Sequence, residues 1–116
     1  MISDTKKFAH HWIAAWNSHD LDRIMEHYSE NVEVTTPMIK IALGIDSGTL
    51  NGKDNVREYW RVALQKVPDL HFEYIDVTQS IGSIALYYNA VFGKRGIEVM
   101  FFDEMGKIEK VVAHYT

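Results

Sequence analysis

A chain of 116 residues, 47% hydrophobic and 24% charged, suits one soluble globular domain over 1–116 and is too short for two. Its net charge of −4, with no lysine or arginine cluster, argues against a nucleic-acid partner, and no apolar run approaches the roughly 20 residues that span a bilayer. Without cysteine there is no disulfide, thiol nucleophile or thiolate metal site; with no secretory leader recognised, a cytoplasmic location is expected.

The chain opens with a helical stripe. Phe8, Trp12 and Trp16 recur every four residues, with Ala9, Ile13 and Ala15 beside them. Asn17-Ser18-His19-Asp20 breaks the stripe with turn formers, and Asp20 or Ser18 caps a second helix that buries Leu21, Ile24, Met25 and Tyr28. The period then changes to two, with Val32, Val34 and Thr36 on one side and Glu33 and Thr35 on the other. Pro37 to Gly44 is unusually apolar for a connection, and reads either as a short helical lid over a cavity or as a core-packed loop. After a turn and short strand over 46–52, a third helix spans Lys53 to Lys66, burying Val56, Tyr59, Trp60, Ala63 and Leu64 before Pro68 stops it. Four strands follow, at 70–79, 84–92, 96–102 and 108–115.

The hairpin between the second and third of these strands takes its register from its turn. Placing Lys94 and Arg95 at the tip, between Gly93 and Gly96, sets Val91 opposite Glu98, Asn89 opposite Met100 and Tyr87 opposite Phe102. Those residues then share the helix-covered face. Leu86, Tyr88 and Phe92 share the other face with Ile97, Val99, Phe101 and Val112. That outer face is apolar enough to predict a homodimer through the sheet. The inner face mixes Tyr87, Asn89 and Glu98 into an apolar surface, which suits a small-molecule cavity better than a packed core. The plainer reading has Tyr87 and Asn89 bonded within the core and Glu98 at a solvated rim.

Three passages carry a resemblance: Asn17 to Asp22 (N-x-x-D-L-D), Tyr28 to Pro37 (Y-x-E-x-V-x-V-x-x-P in outline) and Phe102 to Ile108, closing on Gly106-Lys107-Ile108. The chain resembles the nuclear transport factor two-like superfamily, which includes SnoaL-like cyclases and ketosteroid isomerases. The resemblance implies an α+β cone, a curved and mostly antiparallel sheet wrapped around three helices and enclosing a pocket. It does not settle a reaction, since one fold hosts many functions. Compared with ketosteroid isomerases, the base position holds Thr36, the oxyanion tyrosine position holds Trp12 and the supporting tyrosine position holds Trp60. The second family acid falls on Glu98. A threonine hydroxyl cannot shuttle a carbon acid's proton at neutral pH, so steroid isomerisation is not expected.

The SnoaL-like comparison keeps one acid/base group, Glu98, in a cavity that Trp12, Trp16, Tyr28, Thr36, Trp60, Tyr87, Asn89, Met100, Phe102 and Tyr115 would line. Desolvation there should raise the Glu98 pKa. Two function classes follow: proton transfer on a small apolar or aromatic molecule (isomerisation, cyclisation or dehydration), and ligand binding without turnover. No cofactor is implied. The six histidines show no i, i+4 pair of the helical zinc kind, and neither a phosphate loop nor a G-x-S-x-G elbow occurs.

Overall fold

In the computed structural model, which describes residues 4–116, helix α1 (Thr5–Ser18) begins where the Asp4 side chain accepts from the Lys7 backbone N–H at 3.0 Å. It ends at His19 in the left-handed region, φ 60°. Helix α2 (Leu21–Met25) is capped by Asp20, which accepts from Arg23 N–H, and the Ser18 hydroxyl accepts from Asp20 N–H just before it. The second helix is shorter than its apolar spacing suggests. Glu26 and His27 close it, and Tyr28 opens strand β1 (Tyr28–Thr35) as a buried residue of period two.

The apolar stretch after Pro37 is a helix, α3 (Pro37–Leu43). Thr36 caps it, Pro37 stands in its first turn and Gly44 ends it at φ 70°. The short strand β2 (Thr49–Asn51) leads through Gly52 into α4 (Lys53–Lys66), whose bounds are those read from the sequence. Strands β3 (Glu73–Gln79), β4 (Ser83–Asn89), β5 (Arg95–Phe102) and β6 (Ile108–Tyr115) complete a curved sheet of order β2-β1-β6-β5-β4-β3. The β1–β6 pair is parallel and the other pairs are antiparallel. This α+β arrangement is the expected class, with α3 added to the three expected helices.

The β4–β5 register differs from the expected one. Leu86, not Val91, lies opposite Glu98, and Ile84, not Asn89, lies opposite Met100. Strand β4 stops at Asn89 because Ala90 N–H donates to Lys94 O at 2.8 Å around a tight loop. Phe92 and Gly93 turn that loop in the left-handed region, at φ 59° and 70°. The offset is odd, so every β4 side chain changes face. Ile84, Leu86 and Tyr88 point inward, while Tyr87 and Asn89 point outward. The outer face therefore loses Leu86 and Tyr88, and Phe92 sits on the loop. Ile97, Val99, Phe101 and Val112 keep their expected outer positions, Ile97 being 41% and Phe101 38% exposed.

Candidate active site

The floor of the site is built around a glycine. Gly96 on β5 lies opposite Tyr88 on β4 and Tyr115 on β6. A Cβ at Gly96 would fall 2.8 Å from Tyr88 Cζ, so only glycine leaves room for that ring to lie across the strand. The ring thereby reaches Glu98, two residues further on, and Tyr88 Oη–H donates to Glu98 Oε1 at 2.8 Å. Opposite Glu98 on β6 stands Ala113, whose small side chain leaves open space above the carboxyl group.

Helices and loops supply the walls of a cavity of about 650 Å³ over this floor. Trp12 and Trp16 come from α1 and Trp60 from α4, with Trp16 meeting Trp60 edge-on at 4.9 Å between ring centres. Phe72 stacks on Trp12 at 5.8 Å. Its place is set by Asn17, which accepts from Phe72 N–H at 2.7 Å and donates to Phe72 O at 2.9 Å. Met38, Ile41, Ala42 and Leu43 of α3 line the cavity with Phe92, beside the polar Asn55, Glu58 and Lys66 of α4. Ile41 is 77% and Phe92 75% exposed. The lid reading of 37–44 is the one that fits this arrangement.

Glu98 is 7% exposed, and burial pushes its carboxyl up to about 7, partly opposed by the hydrogen bond from Tyr88. The donor is Tyr88, a residue that the expected register put on the other face. Burial also raises Tyr28, Tyr88 and Tyr115, with the Glu98 charge the next cause in each, so these phenols stay neutral. Thr36 borders the cavity, but its hydroxyl accepts from Met38 N–H at 3.1 Å as the α3 cap. Trp12 Nε1–H donates to Tyr28 Oη at 2.9 Å. Among the described residues no group of three or more His, Asp or Glu could hold a metal ion.

Of the residues singled out from the sequence, Glu98, Trp12, Trp16, Tyr28, Thr36, Trp60 and Tyr115 meet at this cavity. Four do not line it. Tyr87 lies on the outer face, where Arg95 Nη1–H donates to its hydroxyl at 3.0 Å, and Asn89 is exposed. Met100 shares the inner face but is sealed in the core, and Phe102 packs edge-on against Phe8 at 5.1 Å. The β4 pair follows from the odd register. The β5 pair lies beyond Glu98 toward the end of the strand, where Phe8 of α1 meets Phe102. Sequence reasoning placed Tyr88 on the wrong face and gave Phe72 no role. The signal that could have found Tyr88 was Gly96, read as a turn residue when it is a strand glycine under a ring.

The chain matches the SnoaL-like domain over residues 9–114. A SnoaL-like protein of unknown function from Burkholderia thailandensis is 42% identical, with a TM-score of 0.93 over 96% of this chain and 92% of that one. A candidate isomerase of the SnoaL-like family from Agrobacterium tumefaciens is 18% identical, TM-score 0.77, over 99% of both chains. A candidate ketosteroid isomerase from Kribbella flavida is 17% identical, TM-score 0.73, over 97% of this chain and 80% of that one. The latter two likenesses speak for the fold alone. No curated protein matches the chain.

Proposed function

We propose, on the premise that this chain belongs to the SnoaL-like domain family and so to the nuclear transport factor two-like superfamily, that its cavity takes a small, largely apolar or aromatic molecule and moves a proton on it through Glu98. One observation carries this: a buried carboxyl group with a pKa raised to about 7 stands on the floor of a largely apolar cavity. Near neutral pH both of its forms are populated, which is what an acid/base group needs. As carboxylate, Glu98 takes a proton from a carbon beside a carbonyl, and the C–H electron pair moves into an enolate. As the acid so formed, it returns the proton to the same carbon or to a conjugated one. The net change is exchange or isomerisation, with no oxidant or reductant. The isomerase descriptions of the two distant structural neighbours are consistent with this class.

A second reading, binding without turnover, draws on Thr36. It occupies the family's base position and its hydroxyl is engaged as a helix cap. One experiment separates the two readings. 2-Tetralone, an aromatic ketone with acidic C–H bonds, is incubated in D2O with the protein and followed by proton NMR. The enzyme reading expects deuterium uptake beside the carbonyl above the buffer rate, lost in Glu98→Gln. Exchange at the buffer rate, or exchange that survives Glu98→Gln, would leave binding alone.

No described helix is long and apolar enough to cross a membrane. A cytoplasmic location belongs to the same proposal, as does a homodimer through the outer face. The exposed Ile97 and Phe101, with Val99 and Val112 between and beside them, support that dimer.

A further inference from the structure

Two segments bordering the cavity carry large apolar side chains that the chain itself leaves in water. Ile41 and Leu43 of α3 and Phe92 of the 90–94 loop line the cavity, yet they are 77%, 50% and 75% exposed. A side chain that borders the cavity and is also exposed stands where the cavity meets solvent, so these three mark its opening. The backbone there is ordered. Thr36 N–H donates to Gly48 O at 2.9 Å across the base of the α3 segment, Ile39 is sealed in the core, and Ala90 N–H closes the loop on Lys94 O. Phe92 is the costliest of the three. Its φ of 59° and ψ of 30° are left-handed, a conformation that suits Asn, Asp or Gly, so it loses stability through strain as well as through its exposed ring. A residue kept at such a cost points to a use outside the chain.

We infer that this opening docks on the surface of an anionic lipid bilayer, with Phe92, Ile41 and Leu43 entering the headgroup layer, and that the cavity takes its apolar ligand from there. Charge selects the occupant. The chain carries −4 overall, but Lys40 adjoins Ile41, Lys94 follows Phe92 by two residues, and Lys66 lines the cavity. Among the described residues none of these lysines is ion-paired, and Lys94 Nζ donates to the Thr116 carbonyl at 3.1 Å, which leaves its charge in place. Of the acids on the lining, Glu98 is buried and Glu58 is held by Arg61 at 2.6 and 2.9 Å. Asp46 and Asp69, the acids nearest in the sequence to Leu43 and Lys66, do not line the cavity. Lysines beside exposed apolar side chains favour an anionic membrane surface, while the negative remainder of the chain is repelled by it, so docking proceeds opening first. A second copy does not cover this site. Ile97, Val99, Phe101 and Val112, which support the proposed dimer, lie on the outer sheet face and off the cavity lining. The inference rests on the proposed function only in taking the ligand to be apolar.

The test is co-sedimentation with vesicles of phosphatidylcholine and phosphatidylserine in equal parts, beside vesicles of phosphatidylcholine alone. Wild type should bind the mixed vesicles more tightly than the neutral ones, and added salt should weaken the binding. Phe92→Asn and Ile41→Asn should each weaken it about tenfold, the order expected when one large apolar side chain no longer leaves water. Lys40→Gln and Lys66→Gln should each cost roughly fivefold on the mixed vesicles and nothing on the neutral ones. Ile81→Asn is the control for exposed apolar surface as such, since Ile81 is 93% exposed at the other end of β4 and should change nothing. Phe92→Asn should unfold at or above the wild-type temperature, because asparagine accepts the left-handed backbone; its loss of binding is then not a loss of fold. Absence of wild-type binding, equal binding to both vesicles, or an Ile81→Asn loss matching that of Phe92→Asn would overturn the inference. So would a Phe92→Asn variant that binds vesicles normally and changes its sedimenting mass, which would give the opening to a second copy. Glu98→Gln separates this failure from that of the proposed function, since it should lose deuterium exchange on dissolved 2-tetralone and bind vesicles as wild type does.

Discussion

Replacing Glu98 by glutamine should change how stability depends on pH. The folded carboxyl titrates near 7 and an ordinary glutamate near 4.5, so at low pH both states are protonated and burial costs nothing electrostatic. As pH rises from 4.5, the unfolded chain releases this proton while the folded chain holds it, so the folded state binds more protons and stability falls. The loss is complete once pH has passed the folded value. At about 1.4 kcal/mol per pKa unit it amounts to roughly 3 kcal/mol, or on the order of 10 °C in Tm for a chain of this length. His27 works in the opposite direction. Burial against Phe8 lowers its pKa, so its contribution is present above the usual histidine value and lost as pH falls. The wild-type curve therefore mixes both effects, and the difference from Glu98→Gln isolates Glu98. Thermal unfolding of both proteins from pH 4 to 8 should show the variant gaining on the wild type as pH rises, most steeply between 5 and 7. Parallel curves would refute the buried, protonated Glu98 and the proton transfer built on it.

Gly96→Ala should cost about 1–3 kcal/mol in urea unfolding, because its Cβ must displace the Tyr88 ring. Losing the Tyr88 hydrogen bond should also carry the Glu98 pKa further up, seen by carboxyl carbon-13 NMR; an unmoved resonance would mean that Tyr88 does not govern the group. Phe101→Lys on the outer face should turn a dimer into a monomer in sedimentation equilibrium, and a monomeric wild type at micromolar concentration would remove the dimer proposal. Wild-type protein should show no double-bond migration on 5-ene-3-keto steroids. Thr36→Asp should stay folded, since aspartate caps α3 as well as threonine does, and should gain little activity because Trp12 Nε1–H is already given to Tyr28.

Helix α4 was legible to the residue because Gly52 and Pro68 punctuate a clean apolar stripe. The lid at 37–43 was legible only as one of two readings. Its apolar residues lack a helical stripe, since Ile39 faces the core while Ile41 and Leu43 face the opening. Glu98 could be placed because a lone acid between Ile97 and Val99, alternating with Met100, belongs to the buried side of its own strand. Its partners could not. They depend on the pairing across the 90–94 loop, where Phe92 takes a backbone conformation that no local signal asks of a phenylalanine. A symmetric turn between Gly93 and Gly96 was the simplest choice, and it exchanged Tyr88 for Tyr87.

The same register accounts for where the chemistry sits. A glycine inside a strand weakens it, and here the gap makes room for the Tyr88 ring to lie across β5. Tyr88 crosses the gap to hold one oxygen of Glu98, and Ala113 lies opposite the carboxyl group on the cavity lining. Without the hydrogen bond from Tyr88, desolvation would lift the Glu98 pKa further; without burial, the group would be an ordinary carboxylate. The two influences act in opposite directions on the same carboxyl group. The balance between them depends on Gly96, a residue with no side chain and no chemistry of its own.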